Sequence, residues 1–253
     1  QDDIFYKWQL RAVNAKGDGV AAVHAAGITT PAALLGTPFT INGITYAPLT
    51  DYPEAVITGS TADLAAVISI TPTISNGGNT YNVTSIKNYA FQNKNILTSV
   101  TIPSSVISIG ASAFQDCTNL TSIVIPDSVA SIGDSAFENC ILLTSITIPD
   151  SVTSIGASAF QSCTLLTSVT LPTNTLKRIE NRSFNLCENL ASITIPNSVT
   201  CIGEYAFQTC LKLTSVTIPA SVTSINNYAF NTCSNIVSIY FMGTAIPTIG
   251  TSS

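Results

Sequence analysis

The chain has one histidine, one tryptophan and one methionine in 253 residues, and only 9% of its side chains are charged. His24 is the sole imidazole for metal ligation or acid–base work. It sits among alanines without the partners such a site needs, and reads as a structural or surface residue. Nine Lys and Arg against fourteen Asp and Glu leave a net charge of −5. Phosphate binding needs clustered basic side chains, so nucleic acid is not an expected partner. No run reaches the roughly 18 apolar residues that would span a bilayer, and membrane insertion is not expected. Gly17-Asp18-Gly19 is too short for a phosphate loop. Serines are plentiful, yet no histidine accompanies them in the repetitive region. Asp127 and Asp150 recur one repeat apart after a proline, a ladder position rather than an acid–base pair. The expectation is no enzyme, no cofactor and no metal.

What is present is repetition. From Leu97 to Phe241 the chain repeats Leu-Thr-Ser-Ile-x-Ile-Pro, Ser-Val-x-Ser-Ile-Gly and Ala-Phe-x-x-Cys. Phe91, Phe114, Phe137, Phe160, Phe184, Phe207 and Phe230 step by 23 residues, except for one step of 24 between Phe160 and Phe184. Pro103, Pro126, Pro149, Pro172, Pro196 and Pro219 keep the same period. Self-similarity of this kind signals a stack of like coils. Within Leu120 to Leu142, strand alternation points Ile123 and Ile125 inward and Ser122, Val124 and Pro126 outward. Val129 and Ile132 form a second extended segment on the far side, and Gly133-Asp134-Ser135 leads into a helical step carrying Ala136, Phe137 and Cys140 on one face. Such a coil cannot bury its apolar face alone and is stabilised by its neighbours.

The units Ile-Pro-x-Ser-Val-x-Ser-Ile-Gly-x-x-Ala-Phe-x-x-Cys at 102–117, 125–140, 148–163 and, with Cys201 and Glu204 substituted, 195–210 resemble the BspA-like leucine-rich repeats. The segment Gly78 to Ile86 matches the way such arrays begin. The resemblance implies a leucine-rich repeat solenoid, β-rich, with right-handed coils of 23 residues, a parallel sheet on the inner face and a small N-terminal β cap. It also implies surface display in host-associated bacteria, adhesion and binding to host matrix.

Residues 1–36 do not follow the repeat and are expected to be β. Tyr6, Trp8, Leu10 and Ala12 alternate with polar residues, and Lys16 to Gly19 reads as a turn. Residues 37–64 read as a hairpin cap, with Asn42-Gly43 between Phe39-Thr40-Ile41 and Ile44-Thr45-Tyr46, joined by Ala55 to Gly59. The array covers 65–241, with Ile68 and Ile70 inward in a degenerate first coil. Residues 242–253 are a C-terminal cap or a truncated coil. The chain begins at Gln1, as trimming or removal of a secretory signal would leave it, and the resemblance favours export. An extracellular or cell-surface location is the expectation.

Cys117, Cys140, Cys163, Cys187, Cys210 and Cys233 each lie three residues after a repeat phenylalanine. Stacked coils give parallel Cβ vectors, ill suited to disulfide geometry, so the residues read as free buried thiols acting as small apolar groups. Paired Cys-x-x-Cys spacing is absent, which argues against zinc. Cys201 replaces a convex-side serine and is expected near solvent.

Two binding surfaces suggest themselves. The strand face presents a row of Ser122, Ser145, Ser168, Ser192 and Ser215, a second row of Thr147, Thr170, Thr194, Thr217 and Tyr240, and the prolines as a third. These residues either solvate a β-surface or dock an extended glycan or protein segment. The irregular coil between Pro172 and Cys187 holds one extra residue, with Asn174 and Thr175 in place of Ser-Val, and collects Lys177, Arg178 and Arg182. A charge cluster is ordinarily a solvated face, but an insertion within a neutral array is also where a specific contact is built. The expected function is an adhesin-like, non-catalytic binding module for an extracellular protein or glycan. The alternatives are a structural spacer and, from the regular Ser-x-Thr rows, an ice-binding surface.

Overall fold

The computed structural model describes residues 35–50, 53–62 and 64–250. The strand and turn expected before Gly27, and His24, lie outside the described residues. β1 (Phe39–Ile41) and β2 (Ile44–Pro48) form an antiparallel hairpin. Asn42 and Gly43 at its tip both have positive φ, as a two-residue turn matched to strand twist requires. β3 (Glu54–Ser60) pairs antiparallel with β2 and parallel with β6 (Asn79–Ile86). The hairpin is thereby welded to the first coil. β4 (Val67–Ser69) begins the opposite side of that coil, and β5 (Thr73–Asn76) folds back onto β6 through Gly77 and Gly78, both at positive φ.

Each later coil contributes a strand to one or both sides. On the side bearing the Ser/Thr rows lie β7 (Ser99–Thr101), β9 (Ser122–Val124), β11 (Ser145–Thr147), β13 (Ser168–Thr170), β16 (Ser215–Ile218) and β18 (Ser238–Phe241). On the other lie β8 (Ser108–Ile109), β10 (Ser131–Ile132), β12 (Ser154–Ile155), β14 (Arg178–Ile179), β15 (Cys201–Ile202), β17 (Ser224–Ile225) and β19 (Thr248–Ile249). Pairing between coils is parallel and in register, Ser131 beside Ser108 and Ser154, for example. The core runs between the two sides. All eight inward positions of the coil from Leu120 to Cys140 are buried, and the rings from Phe91 to Phe230 stack nearly parallel with centroids 5.1–5.5 Å apart.

The third leg of the coil is not a helix. Ser135 and Asn139 adopt left-handed φ, as do Ser112, Asp116, Ser158 and Ser162 in neighbouring coils. Ala136, Glu138 and Cys140 donate to carbonyls three residues back, at Gly133, Ser135 and Phe137. Ser135, Phe137 and Asn139 donate across to Ala157, Ala159 and Gln161 in the next coil at 2.8–2.9 Å. A chain of tight turns spends alternate N–H groups on the neighbour, which a helix could not do. Thr248 and Ile249 pair parallel with Ser224 and Ile225, so the tail supplies a second extended segment instead of folding across the last coil.

Candidate functional site

The two expected surfaces lie on different sides of the coils. The serine and threonine rows stand on the strands around β11, β13 and β16, and Ser122, Ser145, Ser168, Ser192, Ser215, Thr147, Thr170, Thr194, Thr217 and Tyr240 are all exposed. In the neighbouring threonine column Thr98, Thr121 and Thr167 donate their hydroxyls to the Ala66, Thr98 and Thr144 carbonyls of the preceding coil. Ser122 donates to Ser99 Oγ at 3.1 Å. The remaining hydroxyls of the two rows make no hydrogen bond to the described residues and are free to meet a ligand. The third row is corrected: Pro149, Pro172, Pro196 and Pro219 are buried, and Pro103 and Pro126 half-buried. Strand alternation stops at the residue before the proline, whose carbonyl already closes a turn, Val129 N donating to Pro126 O at 3.0 Å. The outward face is two side chains wide.

Lys177, Arg178 and Arg182 lie on the opposite side and are exposed, but they do not act alike. Arg178 Nε donates to Glu180 Oε1 at 3.1 Å, a half-exposed pair that contributes little stability and leaves Arg178 engaged. Arg182 instead lies over the ring of Tyr205, 4.9 Å from its centroid, and Tyr205 stacks on Tyr228 at 5.0 Å. Neither tyrosine was singled out by the sequence reading, although their spacing of one coil was a visible signal. The extra residue of this coil is Asn174. Thr173 aligns with Asp150, which accepts its N–H and hydroxyl, while Thr175 and Leu176 occupy the Ser and Val places, Thr175 Oγ1 donating to Val152 O as Ser151 does to Val129 O. Asn174 and Thr175 therefore do not themselves replace Ser-Val. Glu180 stands where Gly110, Gly133, Gly156 and Gly203 stand in other coils, and the ladder is interrupted between β12 and β14.

The glycine positions of the earlier coils form the floor of an open groove of about 560 Å³, walled by Ser108, Ser131, Ser154 and Asp134 and closed at one end by Glu180. A Cβ at Gly133 would come within 2.5 Å of the Ala111 nitrogen, so coils this close require the missing side chain. The groove gathers no catalytic constellation. Among the described residues, no group of three His, Cys, Asp or Glu is placed to hold a metal, and no helix is long and apolar enough to cross a membrane.

The seven cysteines are free and buried. Cys201 is corrected accordingly: it is only 6% exposed, flanked in its ladder by Arg178 and Ser224. The six repeat thiols are more than small apolar groups. Each donates to the carbonyl of the phenylalanine one coil back, Cys140 Sγ to Phe114 O at 3.3 Å and Cys163 Sγ to Phe137 O at 3.2 Å. The same carbonyls accept the cysteine N–H of their own coil, so both lone pairs are used. Burial pushes Cys117 and Cys163 up to about 12 and holds Cys140 and Cys187 well above the ordinary thiol range. These four thiols are not nucleophiles.

A solenoid of 23-residue coils with parallel ladders and one phenylalanine column defines a leucine-rich repeat protein. The family model described as a BspA-type leucine-rich repeat region in six copies matches residues 84–175 and 166–253, and the chain belongs to that family. Among solved structures it is similar to a leucine-rich repeat protein of T. pallidum, with 27% identity over 87% of this chain and 85% of that one and a TM-score of 0.56. A leucine-rich repeat protein of Eubacterium ventriosum is 27% identical over 77% of this chain and 53% of its own, with a TM-score of 0.62. The pneumococcal vaccine antigen PcpA shares the fold at 20% identity, over 82% of this chain and 49% of its own, with a TM-score of 0.53. No curated protein matches.

Proposed function

We propose that the chain is a non-catalytic, adhesin-like binding module, secreted or displayed at a cell surface, for an extracellular protein or glycan. One observation carries the reading. Apart from Ser122, two rows of exposed serine and threonine hydroxyls remain without a hydrogen bond to the described residues on a regular β-surface, while Thr98, Thr121 and Thr167 of the adjacent column donate to backbone carbonyls. Groups that only needed satisfying could have been satisfied the same way. Similarity to a vaccine antigen of the same fold supports exposure to a host. A spacer would need none of these free donors, and the regular rows also leave the ice-binding alternative to be tested by thermal hysteresis.

The test is binding of the purified chain to an array of matrix proteins and glycans. One variant changes Lys177, Arg178 and Arg182 to Ser, and a second changes Thr147, Thr170 and Thr194 to Val. Binding lost in either variant supports the module and locates its surface. An intact chain that binds nothing on the array would instead favour the spacer.

A further inference from the structure

We propose that Arg182, Tyr205 and Tyr228 form a ladder that binds a sparsely charged acidic glycan, with a sugar carboxylate held by the Arg182 guanidinium. The proposal rests on the binding-module reading and narrows it to one site and one ligand class. The three residues take the same place in three successive coils, where the coils before carry Ser112, Ser135 and Ser158. All six have φ between 52° and 58°, a left-handed conformation uncommon outside glycine and an outlier for bulky side chains. Serine fills this position in the three coils before Arg182, and Tyr89 in the first coil. An arginine and two tyrosines stand there against the backbone's preference.

Together they make one stack. The tyrosine rings lie 5.0 Å apart and within 4° of parallel, and the guanidinium covers the outer face of Tyr205 at 4.9 Å. A guanidinium on a ring face keeps its five N–H donors in its own plane, directed away from the ring. The Arg182 side chain makes no hydrogen bond to the described residues, so the ring contact holds the guanidinium without consuming a donor. Arg178, four residues earlier, has already given its Nε proton to Glu180. Glu180 lies two residues before Arg182, and Glu204 meets it from the next coil. Glu180 is taken by Arg178, and Glu204 meets Arg182 through its main-chain carbonyl, at 2.9 Å from the Arg182 nitrogen. Neither forms an ion pair with the Arg182 side chain. Ser158, one coil back, is short, and the fork is exposed.

A planar fork with free in-plane donors matches a carboxylate in bidentate fashion. Two phenol hydroxyls continue the line at coil spacing, where they meet hydroxyl groups better than further charge. The protein's net charge of −5 disfavours a dense polyanion. A chain in which uronic acid units alternate with neutral hydroxylated sugars satisfies both requirements.

The experiment titrates the full chain by calorimetry with hyaluronan oligosaccharides, their carboxyl-reduced counterparts and polyglutamate. The expected result is saturable binding of the acidic sugar, weakened roughly 10- to 100-fold by carboxyl reduction, Arg182→Gln or Arg182→Lys, the worth of charge-assisted hydrogen bonds. Tyr205→Ala weakens it similarly by releasing the fork, while Lys212→Gln, at an exposed lysine outside the ladder, leaves it unchanged and circular dichroism shows every variant folded. Equal binding of the reduced sugar, equal binding by Arg182→Gln, or binding of polyglutamate alone overturns the proposal. Partners found on the matrix array that survive Arg182→Gln overturn this site but not the module reading, whereas an intact chain that binds nothing overturns both.

Discussion

Replacing Phe137 by alanine should show how one coil depends on its neighbours. Phe137 is fully buried, and its ring lies 5.4 Å from Phe114 on one side and 5.4 Å from Phe160 on the other. Truncating a buried phenylalanine costs about 3–5 kcal/mol, and the surroundings decide where in that range it falls. Here the hole is closed above and below by rigid coils that cannot collapse into it, and two ring stacks are lost, each worth about 0.5–1.5 kcal/mol beyond area. The upper end, about 5 kcal/mol, is expected. Phe230 provides the control: it is 8% exposed and has one ring neighbour, Phe207, at 5.2 Å. Its truncation should cost less, about 3 kcal/mol, by the same accounting. Urea unfolding followed by far-ultraviolet circular dichroism measures both. Phe137→Ala should also broaden the transition, because stability in a stack is a sum of nearest-neighbour terms and a weak coil uncouples its two sides. Equal losses at the two positions, or a loss below about 2 kcal/mol at Phe137, would refute this reasoning.

The thiol column makes stability fall at high pH. Folding raises Cys117 and Cys163 from 9.0 to about 12, so their contribution is complete below pH 9 and is lost as pH rises toward 12. Each thiol should cost about 1.4 kcal/mol per pH unit in that window, and Cys163→Val should flatten the dependence by that amount in urea midpoints taken between pH 9 and 10.5. The same burial predicts that a thiol reagent at pH 8 labels Cys117, Cys140, Cys163 and Cys187 only after urea is added. Glu138 accepts from Gln115 Nε2 at 3.0 Å and Gln161 Nε2 at 3.2 Å, while Gln161 Oε1 is buried without a partner. Glu138→Gln lets the amides realign head to tail and supplies that oxygen, so it should be neutral to within about 1 kcal/mol. A cost above about 2 kcal/mol would show that the ladder cannot reverse. Asp150→Ala removes the acceptor of Thr173 N–H and Oγ1. About 1 kcal/mol is expected, seen as earlier proteolysis at 172–176.

The core was legible because periodicity assigns it: every inward position named for the coil from Leu120 to Cys140 is buried. The third leg was misread because Ala-Phe-x-x-Cys has the spacing of a helical face. The competing signal was the recurring Asn93, Asp116 and Asn139, residue types that tolerate left-handed φ. Cys201 and the prolines were placed outward by extending strand alternation past the strands' ends, or by counting a ladder serine as exposed. The basic cluster was visible as composition, yet the division of labour within it depends on groups a coil away. Glu180 occupies Arg178, and Tyr205 holds Arg182. A column such as Tyr205–Tyr228 appears in sequence only when residues 23 apart are read as neighbours.

The central claim is that this array binds through its exposed rows or its irregular coil, and hydrogen exchange of the chain with a partner captured from the array tests it most directly. Added protection is expected only at 143–147, 166–170, 191–194 and 214–217, or at 177–182, 205 and 228, with the phenylalanine column unchanged. Protection spread evenly over the chain, or confined to the cap at 39–60, would contradict it.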